Sequence, residues 1–255
     1  MIAESSRRNR CTNILALALW GVLLPRAAAT AQVRNNPGYD RPGFGFTPTV
    51  LQAGDATLEQ GAPDWNRTDG ATTYTADSLL RVGLGHDLEL QFGTGWNWLD
   101  EPGFTTNGRP DTTLALKVAP PACGNFSWGL LGSVEFADGA RAFRNERRQY
   151  LLGASFNWQN DNNRSFGMYA EVLRGNTNSE LLAVNEGWSL TSALGVYVEA
   201  AAQHVGDLGY GALAGMGLSW QVTPRVQLDV GARHRVAGHA DTWQGGMGIS
   251  VYFGD

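Results

Sequence analysis

The sequence predicts an all-β chain: an antiparallel up-and-down transmembrane β-barrel of about twelve strands, with short periplasmic turns. Three observations predict it. Gly makes up 33 of 255 residues, there are nine Trp, and only 17% of residues are charged, against about 7% Gly and about 25% charged in ordinary soluble domains. Long segments alternate apolar and polar residues with period two. Aromatic residues recur about ten positions apart at the ends of those segments. Other classes fall away on the same numbers. The longest near-apolar run, Ile14–Pro25, is too short for a spanning helix. A net charge of −5 with a single lysine, Lys117, does not suit a nucleic-acid binder, which carries a basic balance. The aromatic content is too high for a disordered chain.

Taken in order, residues 1–31 read as a secretory signal peptide. Arg7, Arg8 and Arg10 form a basic region, Ile14–Leu24 an apolar one, and Ala29-Thr30-Ala31 a small-residue cleavage site. Removal of this segment takes Cys11 with it, so Cys123 is expected to have no disulfide partner and no Cys-based zinc site remains. Residues 32–56, rich in Pro and Gly without alternation, form either an N-terminal leader or a segment tucked into the lumen.

Residues 57–253 carry the barrel. Leu88–Trp98 shows the pattern most clearly. Leu88, Leu90, Phe92, Thr94, Trp96 and Trp98 fall on one face, and Glu89, Gln91, Gly93, Gly95 and Asn97 on the other. Phe126–Phe136, Tyr150–Trp158, Leu194–His204, Tyr210–Trp220, Val226–Val236 and Trp243–Phe253 repeat it. Tyr74–Leu84, Thr112–Val118 and Phe166–Arg174 are shorter or weaker. Thr57–Trp65 and Leu181–Leu190 are weaker still, because Glu186 disturbs either register of the latter. A soluble β-sandwich also alternates, so alternation leaves that fold open. The aromatic spacing favours the membrane: ten residues at ~3.3 Å each and ~40° tilt climb about 25 Å, the height of the apolar band between aromatic girdles. Loop lengths point the same way. Gly85–Asp87, Ser189–Ser192 and Val222–Arg225 are short, whereas Leu99–Pro110, Ala137–Glu146 and Ala237–Asp241 are longer, as external loops are.

In this register Arg81, Glu89, Lys117, Glu135, Glu171, Glu199, Asp229, Arg233 and Arg235 point inward. Buried ions must pair to be tolerated, so they form either a structural network or a polar constriction that selects solutes. Asp229, Arg233 and Arg235 share one wall, about 13 Å and about 7 Å apart at ~3.3 Å per residue. Asp229 therefore cannot pair along its own strand, and at least one ion pair should join these three to Arg81, Lys117, Glu89 or Glu199. No catalytic constellation is predicted. No Ser lies two residues from His86, His204, His234 or His239, and only His239-Ala240-Asp241 in a loop keeps an enzymatic reading alive. No metal site and no cofactor are expected. The expected partners are outer-membrane lipid, the barrel-assembly machinery and small solutes, with no nucleic acid.

Several short stretches carry a family resemblance: Tyr39-Asp40-Arg41-Pro42-Gly43-Phe44, Leu79-Leu80-Arg81-Val82-Gly83-Leu84, Leu88-Glu89-Leu90, Leu114-Ala115-Leu116-Lys117, Trp220-Gln221-Val222-Thr223-Pro224-Arg225 and Gln227-Leu228-Asp229-Val230-Gly231. Together they resemble the bacterial outer-membrane family known as "putative meta-pathway of phenol degradation", whose members are called transporters. The resemblance implies a small outer-membrane barrel. One departure lies at the end of the chain, where Gly254 and Asp255 follow Phe253 and barrels commonly finish on an aromatic residue. Two functions compete: a passive pore or transporter for small solutes, and a closed structural or surface-interaction barrel without transport. The expected location is the bacterial outer membrane.

Overall fold

The computed structural model describes residues 36–68, 70–160 and 163–254. The expected signal peptide, residues 1–31, and its Cys11 lie outside the described residues. Cys123 exchanges backbone hydrogen bonds with Phe126 in a turn. Fourteen strand segments follow one another: β1 (Ala56–Gly61), β2 (Asp64–Thr68), β3 (Ala71–Gly85), β4 (Leu88–Glu101), β5 (Phe104–Gly108), β6 (Thr113–Val118), β7 (Phe126–Glu135), β8 (Gln149–Asn160), β9 (Arg164–Arg174), β10 (Ser179–Ser189), β11 (Leu194–Val205), β12 (Gly209–Thr223), β13 (Val226–Gly238) and β14 (Trp243–Phe253). Each pairs antiparallel with its neighbours, and β1 pairs with β14, Ala56 opposite Phe253 through Gly61 opposite Gly248. The sheet is therefore closed. β2 continues the line of β1, and β5 that of β6, so the segments form a 12-strand antiparallel barrel.

The two interruptions have a common chemical cause. Ala62-Pro63 separates β1 from β2 and Arg109–Thr112, with Pro110, separates β5 from β6, and proline has no N–H to give a ladder. Neighbouring backbone bridges both gaps. Ala62 donates to the Met247 carbonyl at 2.9 Å, Ala140 to that of Arg109 at 2.8 Å, and Phe136 to that of Thr112 at 2.8 Å.

The barrel is apolar outside and charged inside. Leu152 and Met216 are 59% and 65% exposed, whereas Arg81, Lys117, Glu59 and Glu89 are all 0% exposed. A soluble sandwich would invert this distribution, so the membrane reading stands. Exposed aromatics ring both ends: Tyr74, Trp96, Trp98, Phe104, Tyr150, Tyr210 and Trp243 at one, Trp158, Phe166, Trp220 and Phe253 at the other.

Two expectations change. Leu99–Pro110 is not an open loop: β4 runs to Glu101, turns at Pro102-Gly103, where Gly103 has φ +82°, and returns as β5. The Pro-Gly pair supplies the turn that hairpin strands need. The contrast in loop length consequently rests on one long connection, Phe136–Arg148. Glu186 does not break β10. It faces outward at the rim and pairs with Arg164, whose guanidinium also lies 5.9 Å from the Trp188 ring centre.

Candidate functional site: the occupied lumen

Between Asn36 and Asp55 the chain forms no strand; it runs against the inward faces of the strands. Its Pro and Gly content disfavours ladder pairing, and its charged groups bond to the wall. Asp40 and Arg41 donate their backbone N–H groups to the Glu59 carboxylate at 3.0 and 2.8 Å, Phe44 donates to Glu199 at 3.1 Å, and Leu51 donates to Glu89 at 3.0 Å. The Tyr39 hydroxyl donates to the Arg225 carbonyl at 2.8 Å, and burial pushes that phenol up to about 12. The described part of residues 32–56 is thus bonded to inward side chains of β1, β4 and β11.

The inward residues named from the sequence are distributed over several groups. On β3, β4 and β6, Arg81 grips Glu89 with two donors at 2.8 and 3.0 Å and reaches Glu59 on β1 at 2.8 Å. Lys117 lies opposite Glu89 in register and 2.9 Å from its carboxylate, and it also meets Asp40 at 3.1 Å. Charges so fully desolvated persist only when every donor and acceptor finds a partner, and here the lumen segment supplies part of the set. Gln91 completes it, donating to both Asp40 and Glu89 at 2.8 Å.

On the opposite wall Arg233 pairs with Glu199 at 2.7 Å, one of the several cross-strand pairs that the sequence allowed. The two residues do not sit on adjacent strands. Gly215 lies between them in register, opposite both. A Cβ there would stand 2.6 Å from Arg233 Cγ, so the missing side chain is what lets the arginine cross β12. Arg233 also covers the Phe44 ring at 4.1 Å. Asp229 finds its partner off the barrel wall, at Arg41 of the lumen segment, 3.2 Å away. Glu135 stands apart, bonded to Asn145 at 2.9 Å and facing Gln149, and Arg235 donates to the Ala240 carbonyl at 3.1 Å. Glu171 accepts from Tyr169.

Between these charged walls lies an apolar one. Phe46 packs edge-on against Tyr169, with ring centres 5.7 Å apart, within a cluster of Ala115, Leu131, Ala183 and Ala201. Gly45, at φ +80°, lies so close to the Tyr169 ring that a Cβ would overlap it.

Arg41, Pro42, Gly43 and Tyr197 stand between two polar cavities. One, of about 490 Å³, is lined by Asp64, Asp77, Asp229, Asn66, Thr75 and Gln244 and lies toward the Phe136–Arg148 end. The other, of about 340 Å³, is lined by Gln159, Asn163, Asn185, Ser219 and Gln227 and lies toward the opposite end. Asp40, Arg41, Glu59, Asp64 and Asp77 were not among the inward residues named from the sequence; Asp40 and Arg41 stand out only as part of a family-like stretch and as the only charged residues between Asn35 and Gly54.

Comparison with known proteins agrees with this architecture. A family model described as "Putative MetA-pathway of phenol degradation" matches residues 39–253. The fold is similar to that of a COG4313 outer membrane channel from Pseudomonas putida F1, at 12% identity and TM-score 0.63, over 84% of this chain and 99% of that one. It is also similar to the NanC porin, at 10% identity and TM-score 0.56 over 78% of this chain and 100% of that one, and to the KdgM porin, at 11% and 0.55 over 78% and 99%. No curated protein matches the sequence.

Proposed function

This chain belongs to the family described as "Putative MetA-pathway of phenol degradation", and from that premise we propose that it is a passive pore for small solutes in the bacterial outer membrane, narrowed by its own residues 36–55. One observation carries the reading: two polar cavities of about 490 and 340 Å³ that meet at Arg41, Pro42, Gly43 and Tyr197. Polar groups lining a passage act on solutes by diameter and by charge. The inward set Arg81, Glu89, Lys117, Glu135, Glu199, Asp229, Arg233 and Arg235 is then scaffold and selector together. The apolar belt faces outer-membrane lipid. Residues 1–31 direct export, the assembly machinery inserts the barrel, and the long Phe136–Arg148 connection faces the outside. Enzymatic work is not part of the proposal. Asp241, the acid of the one loop pair considered, is bonded to Thr68 and Gln244, and no cofactor is invoked.

One observation favours the closed structural barrel instead: Arg81, Lys117, Glu59 and Glu89 are wholly shielded from solvent. Planar-bilayer recording separates the two. The refolded full-length barrel should give small, discrete conductance steps, and a version lacking residues 36–55 should give larger ones. Silence from both at every voltage would overturn the pore.

A further inference from the structure

Arg41 is held like a bound ligand. Its guanidinium meets Asp64 through both terminal nitrogens, Nη1 to Oδ2 at 2.7 Å and Nη2 to Oδ1 at 3.0 Å. Asp77 flanks Nη1 at 3.3 Å and Asp229 flanks Nη2 at 3.2 Å. The parallel two-point contact with Asp64 is the arrangement that a planar fork satisfies and a rounded ammonium does not. Three carboxylates surround one cation, so the group carries an excess of two negative charges. Arg233, which also lines this cavity, is taken up by Glu199 and Phe44. A second observation is independent of the acid count. Asp229 is buried, 6% exposed, yet its Oδ2 has no hydrogen-bond partner among the described residues, and it lines the 490 Å³ cavity. Space is reserved as well. A Cβ on Gly248 would overlap the Arg41 guanidinium, and one on Gly246 would overlap Asp64. The wall therefore lacks side chains where a flat cation lies.

We infer that this cavity is a receptor for guanidinium-bearing solutes, with Arg41 occupying it as a tethered stand-in. An incoming guanidinium displaces Arg41 from Asp64, and the vacant acceptor of Asp229 and the cavity volume accommodate the rest of the solute. A volume of this size falls within the range of small-molecule sites. Release of Arg41 loosens the Arg41–Gly43 elbow between the two cavities, which links arrival of the solute to widening of the passage. This assignment rests on the pore reading for the solute's route, but occupancy of the site is measurable without transport.

The test is calorimetric titration of the full-length barrel in detergent micelles with methylguanidinium. A tethered group competes at a high effective concentration, so the wild type should bind weakly. Arg41→Ala should bind at least roughly tenfold more tightly by the same reasoning. Methylammonium should gain far less, and Arg41→Ala combined with Asp64→Asn should lose the gain. If Arg41→Ala does not fold, Arg41→Lys decides, since it keeps a cation but not the fork and should still bind methylguanidinium several-fold more tightly than wild type. Equal binding by wild type and the folded variant overturns the proposal, as does a gain that survives Asp64→Asn. A conducting barrel that shows no such gain leaves the pore standing and removes the receptor. A silent barrel that shows it does the reverse.

Discussion

Replacing Arg81 with Met removes the cation that holds three carboxyl groups in the lumen. Arg81 contacts Glu59 at 2.8 Å, Glu89 at 2.8 Å and Asp40 at 3.5 Å, and its side chain and both glutamates are fully buried. Met fills most of the volume, so a cavity contributes little. Glu89 keeps Lys117 at 2.9 Å. Among the described residues Glu59 then keeps the N–H groups of Asp40 and Arg41 and no countercharge. Loss of one partner from a buried pair costs about 3–5 kcal/mol. At roughly 2–4 °C per kcal/mol for a chain of this size, the unfolding midpoint should fall by about 6–20 °C. The assay is the heat-induced shift in gel mobility between folded and unfolded barrel, read across a temperature series. Adding Glu59→Gln to Arg81→Met should recover part of the loss, because the orphaned charge is then gone. A fall no larger than that of an exposed pair, about 0–1 kcal/mol, would refute the reasoning and mean that water reaches Arg81.

Gly215→Val should place a branched side chain between Glu199 and Arg233 and lower stability by about 1–3 kcal/mol, the usual effect of overpacking. Glu199→Gln should then add little in that background, which a double-mutant cycle in the same gel assay would show. In the long loop, Asp138 lies below its usual range, held there first by the Thr112 N–H and then by the Thr112 hydroxyl and Arg109. A carboxyl depressed in the folded state stabilises above its unfolded value of about 3.9 and loses that effect as pH falls through the folded one. Amide exchange around Thr112 and Asp138, corrected for intrinsic rate, should therefore stay protected at neutral pH and open below about pH 4. Asp138→Asn should open it at all pH values, and protection that ignores pH would refute the link.

Strands are legible in this sequence because pairing partners and faces leave a local mark. Leu88–Trp98 carries both faces of β4 within eleven residues, and Tyr210–Trp220 marks both membrane boundaries of β12. Where the mark is local but mixed, it points both ways. Trp98, Leu99 and Thr105 continue a strand through Pro102-Gly103, yet the same polar stretch resembles a loop. Glu186 disturbed the β10 register only because its outward partner, Arg164, comes from the neighbouring strand. The lumen is less legible for a geometric reason. Arg41 meets Asp229 across 188 positions of sequence, and a segment without periodicity bears no sign of the wall it touches. The Glu199–Arg233 pair could be anticipated because both residues occupy inward positions of regular strands.

The closure of the barrel also dictates an order of events during its assembly. Ala56 pairs with Phe253, Tyr252 bonds Asp55 at 2.8 Å, and Tyr39 reaches Arg225, so the seam joins the first strand made to the last. Contacts so far apart in sequence form late, because the entropy of closing a long loop must be overcome before they contribute anything. Residues 36–55 are bonded to both sides of that seam, to Glu59 and Glu89 on one flank and to Asp229 and Arg225 on the other. They can lie along the open curved sheet while it grows, gathering their partners on β1 and β4 first. In a barrel that closed without them, Arg81, Lys117, Glu59 and Glu89 would lack the partners that the segment supplies. Enclosure of the segment as the sheet curls, with β13 and β14 closing over it last, is the order that these contacts favour.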